Sequence, residues 1–516
     1  MSSTPEPQPQ PAAKRDKLDP AVVRLIVILL VGLIPSLLDT TIVNVAIGTI
    51  GKDLHTTVSS IQWVITGYLL SFGMVIPVSG WALSRFGGRT IWIFSLSVFL
   101  LGSIASGAAW SVSSLIAFRV LQGAGGGLML PLLTTLITQA VGGGQLGRLM
   151  AAVSLPVAVV PILGPVLSGL IISNLSWRWI FYVNVPICVT GIVLAWRGLA
   201  ARPSAADAPP TPTAGGGPSA GPGVRTRLDV IGLLLLCPAL AGLLYGLAQV
   251  SSSGGFGHLH VLIPLVAGLA LLAGFIWHAL NMTREPLVDL RLFRSRAFAG
   301  ASTLMFLAGL SIYGAMLLLP LYFQEARGYS ALDAGLLLVP QGVGSILPRT
   351  IVGKLSDKIG PRPVAIAGIV LTVAGTIPFA LATARTSDVL LCAALVVRGA
   401  GLGAATIALM AGAFQGLSRS DLPHASSATR ILQQVGGAFG AAVLIVILTA
   451  QAARYGATDP AGIAAAFGHT FWWCVGFTVL AIVPALFLPG RPIPPAALAA
   501  SPRPVSEPAT AGSSAD

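Results

Sequence analysis

Charged residues are scarce in this chain of 516 residues: Asp, Glu, Lys and Arg together make up 9% of it, whereas hydrophobic residues make up 54%. Soluble domains carry about 25% charged residues. Bases outnumber acids, with 30 Lys and Arg against 17 Asp and Glu. The bases are scattered between apolar runs rather than gathered in a basic patch, so nucleic-acid binding is not expected. The composition indicates an integral membrane protein.

Cysteine and histidine are also rare. The four Cys all fall inside apolar runs rather than in loops, which argues against a disulfide framework. The six His show no metal-ligand spacing, and no Walker motif for ATP binding occurs. We therefore expect no metal site, no cofactor and no enzymatic activity, and we expect an ion gradient to supply energy.

Long apolar runs fill most of the chain. Fourteen of them reach the length of about 19–20 residues that a membrane-spanning helix needs. They lie near 24–46, 58–82, 89–108, 112–137, 147–172, 178–199, 228–250, 258–280, 298–323, 331–352, 363–383, 388–412, 429–450 and 468–489. The runs are continuous rather than alternating, which excludes a lipid-facing barrel. The sequence predicts an all-α integral membrane protein with 14 transmembrane helices.

The positions of Lys and Arg predict the orientation. With fourteen spans and an inner N-terminus, most of these bases fall on the segments that face the cytoplasm. One missed or additional helix would place every later loop on the other side of the membrane and would remove this asymmetry. We therefore expect a multi-pass protein of the plasma membrane with both termini in the cytoplasm.

Two decapeptides repeat across the chain, GWALSRFGGR at 80–89 and GKLSDKIGPR at 353–362. They share Gly, a base, Gly and Arg at their first, sixth, eighth and tenth places. Arg119 and Arg398, each near the start of a span and followed by small residues, form a second such pair. Repeated halves are the way in which many transporters build a central site between two moving bundles.

The repeat and the composition divide the chain into seven segments. These are a disordered cytoplasmic N-terminus (1–23), an N-terminal six-helix bundle (24–199), a Pro- and Gly-rich cytoplasmic linker (200–227), an inserted helix pair (228–280), an interfacial amphipathic segment (281–297), a C-terminal six-helix bundle (298–489) and a disordered cytoplasmic tail (490–516).

Four further motifs carry a resemblance to a known family: LLDTTIVNVAI in span 1, RVLQGAGGG in span 4, GPVLSGL in span 5 and WRWIFYVNVP at the start of span 6. Together with the loop decapeptides, they make the chain similar to the major facilitator superfamily, and within it to the fourteen-span drug:proton antiporter branch. The resemblance implies two six-helix bundles plus an inserted pair, and export of small lipophilic compounds in exchange for protons by alternating access.

Two other functions are left open by the sequence. The same fold also serves uptake or exchange of a metabolite, although the span 5 motif argues against this. A membrane enzyme or sensor would need a catalytic constellation or a soluble sensory domain, and neither is visible. The partners we expect are a small lipophilic substrate, protons and the lipid bilayer, with the protein acting as a monomer.

Asp39 is the most informative residue, because it is the acid that lies well within a span. A carboxylate at the middle of a membrane helix costs about 2.5–3.5 kcal/mol on insertion scales. Arg119 is predicted at a similar depth, so the two side chains are expected to meet or to compete for water in one cavity. The resemblance assigns Asp39 to proton coupling and Arg119 to tuning it. The alternative is a structural ion pair that fixes helix packing.

The span 5 motif contributes Gly164, Pro165, Ser168 and Gly169, which bend a helix and allow a neighbour to approach closely. The resemblance implies an antiporter motif that seals the site against leak, with Ser168 where the family usually has Gly. Ordinary small-residue packing is the alternative.

The loop decapeptides are expected to act as conformational motifs that latch the halves together, or simply as bases that set the topology. Their residues are Gly80, Arg85, Gly87, Arg89, Gly353, Asp357, Lys358, Gly360 and Arg362. The usual acid of the motif is replaced by Ser84 in the first copy, whereas Asp357 keeps it in the second.

Polar and aromatic residues inside the spans are candidates for lining a substrate cavity, or for hydrogen bonds between helices. They are Asn44, Gln62, Tyr68, Gln122, Tyr313 and Gln341. The absence of a second deep acid argues against dicationic substrates and leaves monocationic or neutral lipophilic ones.

Overall fold

The computed structural model describes residues 20–141, 146–199, 229–253, 257–282, 290–383, 385–414, 422–455 and 460–490. The predicted linker at 200–227 and nearly all of the two predicted tails lie outside these ranges. Twenty α-helices occur within them: α1 Pro20–Asp53, α2 Val58–Ile61, α3 Trp63–Val75, α4 Val78–Phe86, α5 Gly88–Gly107, α6 Val112–Val141, α7 Leu146–Asn174, α8 Trp179–Tyr182, α9 Asn184–Gly198, α10 Val230–Ser253, α11 Leu259–Asn281, α12 Arg296–Leu321, α13 Ala331–Leu337, α14 Val339–Ile346, α15 Arg349–Ile359, α16 Pro361–Ala380, α17 Asp388–Phe414, α18 Leu422–Tyr455, α19 Pro460–Leu480 and α20 Ile482–Ala485.

The described residues form no β-strand, so the prediction of an all-α protein is confirmed. A short 3-10 helix at Leu290–Arg294 occupies part of the segment predicted to be interfacial, and a π-helix at Tyr322–Ala326 continues α12. The first helix begins at Pro20, so the last four residues of the segment predicted to be disordered (1–23) are helical.

The count of fourteen spans is not confirmed. Twelve helical segments of the described residues are long and apolar enough to cross a bilayer, and α3 with α4 makes a thirteenth if this pair, bent by 55°, is one span. Pro77 stands between α3 and α4, where it removes a backbone hydrogen bond and forces the bend. In α7, which carries Pro156, Pro161 and Pro165, the apolar part at Val159–Asn174 is shorter than a full span.

The two loop decapeptides adopt the same turn. Helix α4 ends at Phe86 and α15 ends at Ile359, and the glycine that follows each has a positive φ, 77° at Gly87 and 90° at Gly360. The next helix begins directly afterwards in both copies. Only glycine adopts this backbone conformation without steric cost. The repeated glycine therefore has a structural cause, and we call the end of the protein that carries both turns the loop-motif end.

Helices from the two halves pack against each other. Helix α7 contacts α13 and α14, while α3 contacts α18 and α1 contacts α12. The α7–α13 contact is made through glycine: a Cβ on Gly335 would lie 2.3 Å from the carbonyl oxygen of Pro165, and one on Gly169 would lie 2.5 Å from the Cα of Leu332. The halves are therefore in backbone contact at the end opposite the loop motifs.

The inserted pair, α10 and α11, lies beside this core. Helix α10 packs against α11, α18 and α3, and the ring centroids of Trp63 and Tyr245 lie 6.2 Å apart. Helix α11 leaves large apolar side chains such as Leu259 and Trp277 exposed. Exposed apolar surface of this kind suits contact with lipid. The pair therefore belongs to the periphery of the protein.

Candidate functional site

Asp39 and Arg119 meet, as the sequence predicts. Asp39 is placed by α1 and Arg119 by α6, and Arg119 Nη1 donates a hydrogen bond to Asp39 Oδ2. Gln122, one turn after Arg119 on α6, donates from Nε2 to Asp39 Oδ1 at 3.0 Å and accepts from Arg119 Nη1 at 2.7 Å. Both carboxylate oxygens are thus hydrogen-bonded. Residues three apart on a helix share a face, which explains why one helix supplies both partners.

A second layer of polar groups holds this cluster in place. Gln122 Nε2 and Asn184 Nδ2 both donate to Ser103 Oγ at 3.1 Å, and Ser103 donates to the Phe181 carbonyl at 2.9 Å. Arg119 Nε donates to the Val64 carbonyl at 3.2 Å. The centre of the guanidinium lies 4.1 Å from the centroid of the Tyr68 ring, a cation–π distance.

The ion pair is shut off from solvent in this conformation. The Asp39 side chain is 0% exposed and that of Arg119 is 1% exposed. A buried pair of this kind holds two helices in one arrangement, since either charge alone would be left without compensation. Separating the pair requires that the carboxylate take up a proton or that water reach it.

A central cavity of about 180 Å³ lies between the two halves. It is lined by α1 and α7 from the first half and by α12, α14, α15 and α17 from the second. Its polar side chains are Thr41, Asn44, Gln341, Ser345, Arg349 and Thr406. Neither Asp39 nor Arg119 is among the lining residues.

Helix geometry explains why Asp39 does not reach the cavity. An α-helix turns about 100° per residue, so Thr41, Asn44 and Val45 lie on the face of α1 roughly opposite Asp39. The two functional faces of α1 are therefore distinct: one faces α6 through Asp39, and the other faces the cavity. The structure agrees with the prediction that Asp39 and Arg119 meet. The alternative, that they compete for water in one cavity, does not fit, because neither residue lines the central cavity.

Two of the six predicted cavity residues line the cavity, and four do not. Asn44 and Gln341 line the cavity. Gln122 and Tyr68 belong instead to the buried Asp39 cluster, where Tyr68 also donates to the Ser36 carbonyl at 3.3 Å. Gln62 is buried with no hydrogen-bond partner among the described residues, and Tyr313 packs against Gly437 of α18.

Arg398 of α17 occupies a corresponding place in the second half. It is 1% exposed, and its nitrogens donate to Gln341 Oε1 at 2.7 Å, to Thr376 Oγ1 at 3.3 Å and to the Ser311 carbonyl at 3.3 Å. All three acceptors are neutral. The ion pairs found among the described residues do not include Arg398.

The span 5 motif lies at the contact between the halves. A Cβ on Gly164 would meet Thr41 Oγ1 at 2.0 Å, which shows how closely α7 approaches α1. Pro165 and Gly169 approach α13 in the same way, through Gly335 and Leu332 as described above. Ser168 is 0% exposed, and its hydroxyl has no hydrogen-bond partner among the described residues. The motif thus joins the cavity-lining face of α1 to the second half.

The bases of the loop decapeptides are placed differently. Arg85 and Lys358 are exposed, and Arg89 is half-buried. Arg362 donates from Nε to the Leu488 carbonyl at 2.9 Å, which ties the motif to the segment that follows the last helix of its own half. A Cβ on Gly80 or Gly353 would meet nothing within 4 Å. The side chain of Asp357 lies outside those that the structure describes.

Several residues of these sites were not among the sequence candidates. Ser103 accepts hydrogen bonds from Gln122 and from Asn184, while Thr376 accepts one from Arg398. Asn184 lies in the quoted WRWIFYVNVP motif, and a polar residue within an apolar run is the signal that points to it. Serine and threonine give no such signal, because they often bond to the carbonyl one turn back in their own helix. Within the described part of the chain, no cluster of three or more His, Cys, Asp or Glu is arranged to hold a metal ion.

Comparison with known proteins places this architecture in a family. The family model of the Major Facilitator Superfamily matches residues 29–441 and 303–512. The chain is 36% identical over 438 residues to the multidrug resistance protein B homolog of Mycobacterium tuberculosis, covering 84% of this chain and 78% of that one. It is 28% identical over 490 residues to the lincomycin resistance protein LmrB of Bacillus subtilis, covering 92% and 97%. It is 32% identical over 437 residues to the probable transport protein HsrA of Haemophilus influenzae, covering 84% and 89%.

Among solved structures, a bacterial homologue of the human lysosomal transporter Spinster, in an inward-facing and occupied conformation, superimposes with a TM-score of 0.61 at 15% identity. The match covers 91% of this chain and 97% of that one. At this identity the likeness shows the fold alone. Together with the multiple apolar helices and the family match, these findings show that the chain belongs to the Major Facilitator Superfamily, a family of multi-pass membrane transporters.

Proposed function

We propose that this protein is a proton-coupled antiporter that exports small lipophilic compounds by alternating access. The single observation that carries the proposal is the buried carboxylate of Asp39, hydrogen-bonded to Arg119 and Gln122. The buried carboxylates of the described residues are Asp39 and Asp229, and Asp229 lies just before α10 begins. The relatives named for multidrug and lincomycin resistance support export as the direction of transport.

The pair supplies a switch that protonation can operate. A proton on Asp39 removes the negative charge that holds Arg119, so the attraction between α1 and α6 weakens. Helix α1 also lines the cavity through Thr41, and Thr41 touches Gly164 of α7. Movement of α1 therefore changes both the shape of the cavity and the contact of α7 with α13.

Alternating access then explains how the proton reaches a carboxylate that is sealed in this conformation. The halves are in backbone contact at the end opposite the loop motifs. Opening of that end loosens the packing around α7 and α1, and this opens a water path to Asp39. An inward-moving proton contributes about 2.3 kcal/mol per 100 mV of membrane potential, and its concentration gradient adds to this. We assign the protein to the plasma membrane, with both termini in the cytoplasm, acting as a monomer.

The test is transport in inverted membrane vesicles that carry the whole chain. Two lipophilic dyes of opposite charge, ethidium and anilinonaphthalene sulfonate, are offered, and uptake is recorded together with proton release. We expect dye accumulation to depend on the pH gradient and to release protons. Asp39→Asn is expected to abolish proton release and uphill accumulation. Asp333→Asn, an exposed acid at the start of α13, is the matched control and is expected to behave as the unchanged protein. Unchanged proton coupling in Asp39→Asn would refute the role of Asp39.

A further inference from the structure

We propose that the central cavity binds lipophilic compounds that carry a negatively charged group, such as an arylcarboxylate. This inference rests on the proposed function for the direction and energy of transport, and it adds the charge class of the substrate. It differs from the sequence-based expectation of monocationic or neutral substrates.

Among the described residues, the cavity wall includes neither kind of group that attracts a cation. Its described lining residues contain no Asp or Glu and no Phe, Tyr or Trp. A lipophilic cation is usually held by a carboxylate or by the face of an aromatic ring. Arg349 is the one ionic side chain among these described lining residues. The remaining wall is aliphatic, with Ile312, Met316 and Leu319 of α12 among its members, and it offers apolar surface for the body of such a ligand.

A second positive charge lies directly behind this wall. Arg398 is buried, and its three hydrogen-bond acceptors are neutral. One of them, the Gln341 side-chain oxygen, belongs to a residue that lines the cavity. The charge of Arg398 is therefore one side chain away from the ligand space. Within a low-dielectric interior, a buried cation without a counterion favours the entry of an anion.

The first half does not offset this charge. Its buried acid, Asp39, is paired with Arg119 and lies on the face of α1 that turns away from the cavity. The cavity thus has an asymmetric wall: uncharged polar side chains, Thr41 and Asn44, on one side, and Arg349 with Gln341 and Arg398 on the other. An anionic headgroup would bind toward α14 and α15, with its apolar body toward α12.

The experiment measures equilibrium binding to the whole protein in lipid nanodiscs, with three probes of similar size and different charge. They are naphthoate, naphthamide and naphthylmethylammonium, and empty nanodiscs correct for partition into lipid. We expect naphthoate to bind about tenfold more tightly than naphthamide, because a charge-assisted hydrogen bond replaces a neutral one. We expect naphthylmethylammonium to bind most weakly.

Two variants test the origin of the preference. Arg349→Gln should weaken naphthoate binding to about the level of naphthamide and leave naphthamide unchanged. Gln341→Glu places a carboxylate beside Arg398, so the buried pair is neutral and Arg349 alone attracts the anion, and the preference for naphthoate over naphthamide should fall below tenfold. Arg454→Gln, which removes an exposed base at the end of α18, is the control and should change nothing.

Three outcomes would overturn the inference: equal binding of all three probes, tightest binding of the ammonium compound, or no binding of any of them. None of these outcomes bears on proton release from vesicles, which tests the proposed function separately. Conversely, loss of proton coupling would refute the antiporter proposal and leave the binding preference in place.

Discussion

Arg398 stands in the second half of the protein where Arg119 stands in the first, but of these two only Arg119 faces a carboxylate of the described residues. Arg119 donates to Asp39 of α1, whereas Arg398 donates to the backbone carbonyl of Ser311 on α12. The two halves therefore share a buried guanidinium and differ in its counterion. The two proposals rest on this difference: they assign the proton site to the first half and the positive side of the cavity to the second.

The buried pair predicts unequal costs for single and double substitutions. Arg119→Gln leaves the Asp39 carboxylate buried without a counterion and is expected to destabilise the protein by about 3–5 kcal/mol. Adding Asp39→Asn removes that uncompensated charge, so the double variant should be more stable than Arg119→Gln alone. The midpoint of thermal unfolding in detergent, compared across the double-mutant cycle, measures this coupling. Additive losses would show that the two side chains do not interact.

The contact between α7 and α13 predicts that a larger residue at position 335 opens one end of the transporter. A side chain at Gly335 would collide with the Pro165 carbonyl, so Gly335→Val should shift the population toward the state in which the halves separate there. The readout is maleimide labelling of Ser345→Cys, a cavity residue, in a background without native Cys. We expect labelling from the end opposite the loop motifs to rise about tenfold.

The control for this prediction is Gly353→Val, because a Cβ at Gly353 meets nothing within 4 Å. This variant should label as the unchanged protein does. If both valine variants label alike, the α7–α13 contact does not control access.

Ser168 and Ser103 predict opposite effects of the same substitution. Both are 0% exposed, but the Ser168 hydroxyl has no partner among the described residues, whereas Ser103 makes three hydrogen bonds to Gln122, Asn184 and Phe181. Ser168→Ala should leave the stability unchanged or raise it by about 1 kcal/mol, since a buried hydroxyl without a bond is removed. Ser103→Ala should lower it by about 1–3 kcal/mol, because it leaves its partners unsatisfied.

The unfolding midpoints of the two alanine variants, measured side by side, decide this prediction. A loss of stability in Ser168→Ala as large as that in Ser103→Ala would indicate that the Ser168 hydroxyl is hydrogen-bonded in the membrane.

The positive φ angles of the loop turns predict a penalty for alanine. Gly87→Ala and Gly360→Ala force an L-residue into a backbone conformation with positive φ and with ψ of 157° and 161°, which is essentially restricted to glycine, and should each cost about 1–3 kcal/mol. Gly80→Ala and Gly353→Ala lie within helices with open space around them, so they should be neutral or slightly stabilising. Thermal unfolding of the four variants is the measurement. Equal effects at all four positions would contradict the assigned turns.

The membrane class and the helical architecture followed from composition and apolar runs, because the bilayer admits few alternatives to a continuous apolar helix. The number of spans did not follow from the composition and the apolar runs. Prolines interrupt many of the runs, yet Pro35 and Pro131 remain inside long helices, whereas the chain bends by 55° near Pro77. Whether a proline breaks a span depends on neighbouring helices that satisfy the freed carbonyls, and a single chain does not reveal those neighbours.

The pairing of Asp39 with Arg119 was predicted from their depths in two spans, while the positions of the polar residues around them were not. Gln122 and Gln341 look alike in sequence, since each is an amide within an apolar run. The structure places Gln122 on the Asp39 carboxylate and Gln341 on the cavity wall. Depth is a property of one helix, but the facing partner depends on how helices are rotated against each other.

The sequence by itself determined that this is a helical membrane transporter of repeated halves with one deep carboxylate, because hydropathy, charge cost and repeated glycines are properties of local segments. Only the tertiary structure decided that this carboxylate is sealed on one face of α1 while the central cavity lies against the other. The physical reason is helix rotation. A turn of about 100° per residue places Asp39 and the cavity-lining residues on different faces of α1, and the packing of α1 against α6 and α7 fixes which face each neighbouring helix contacts.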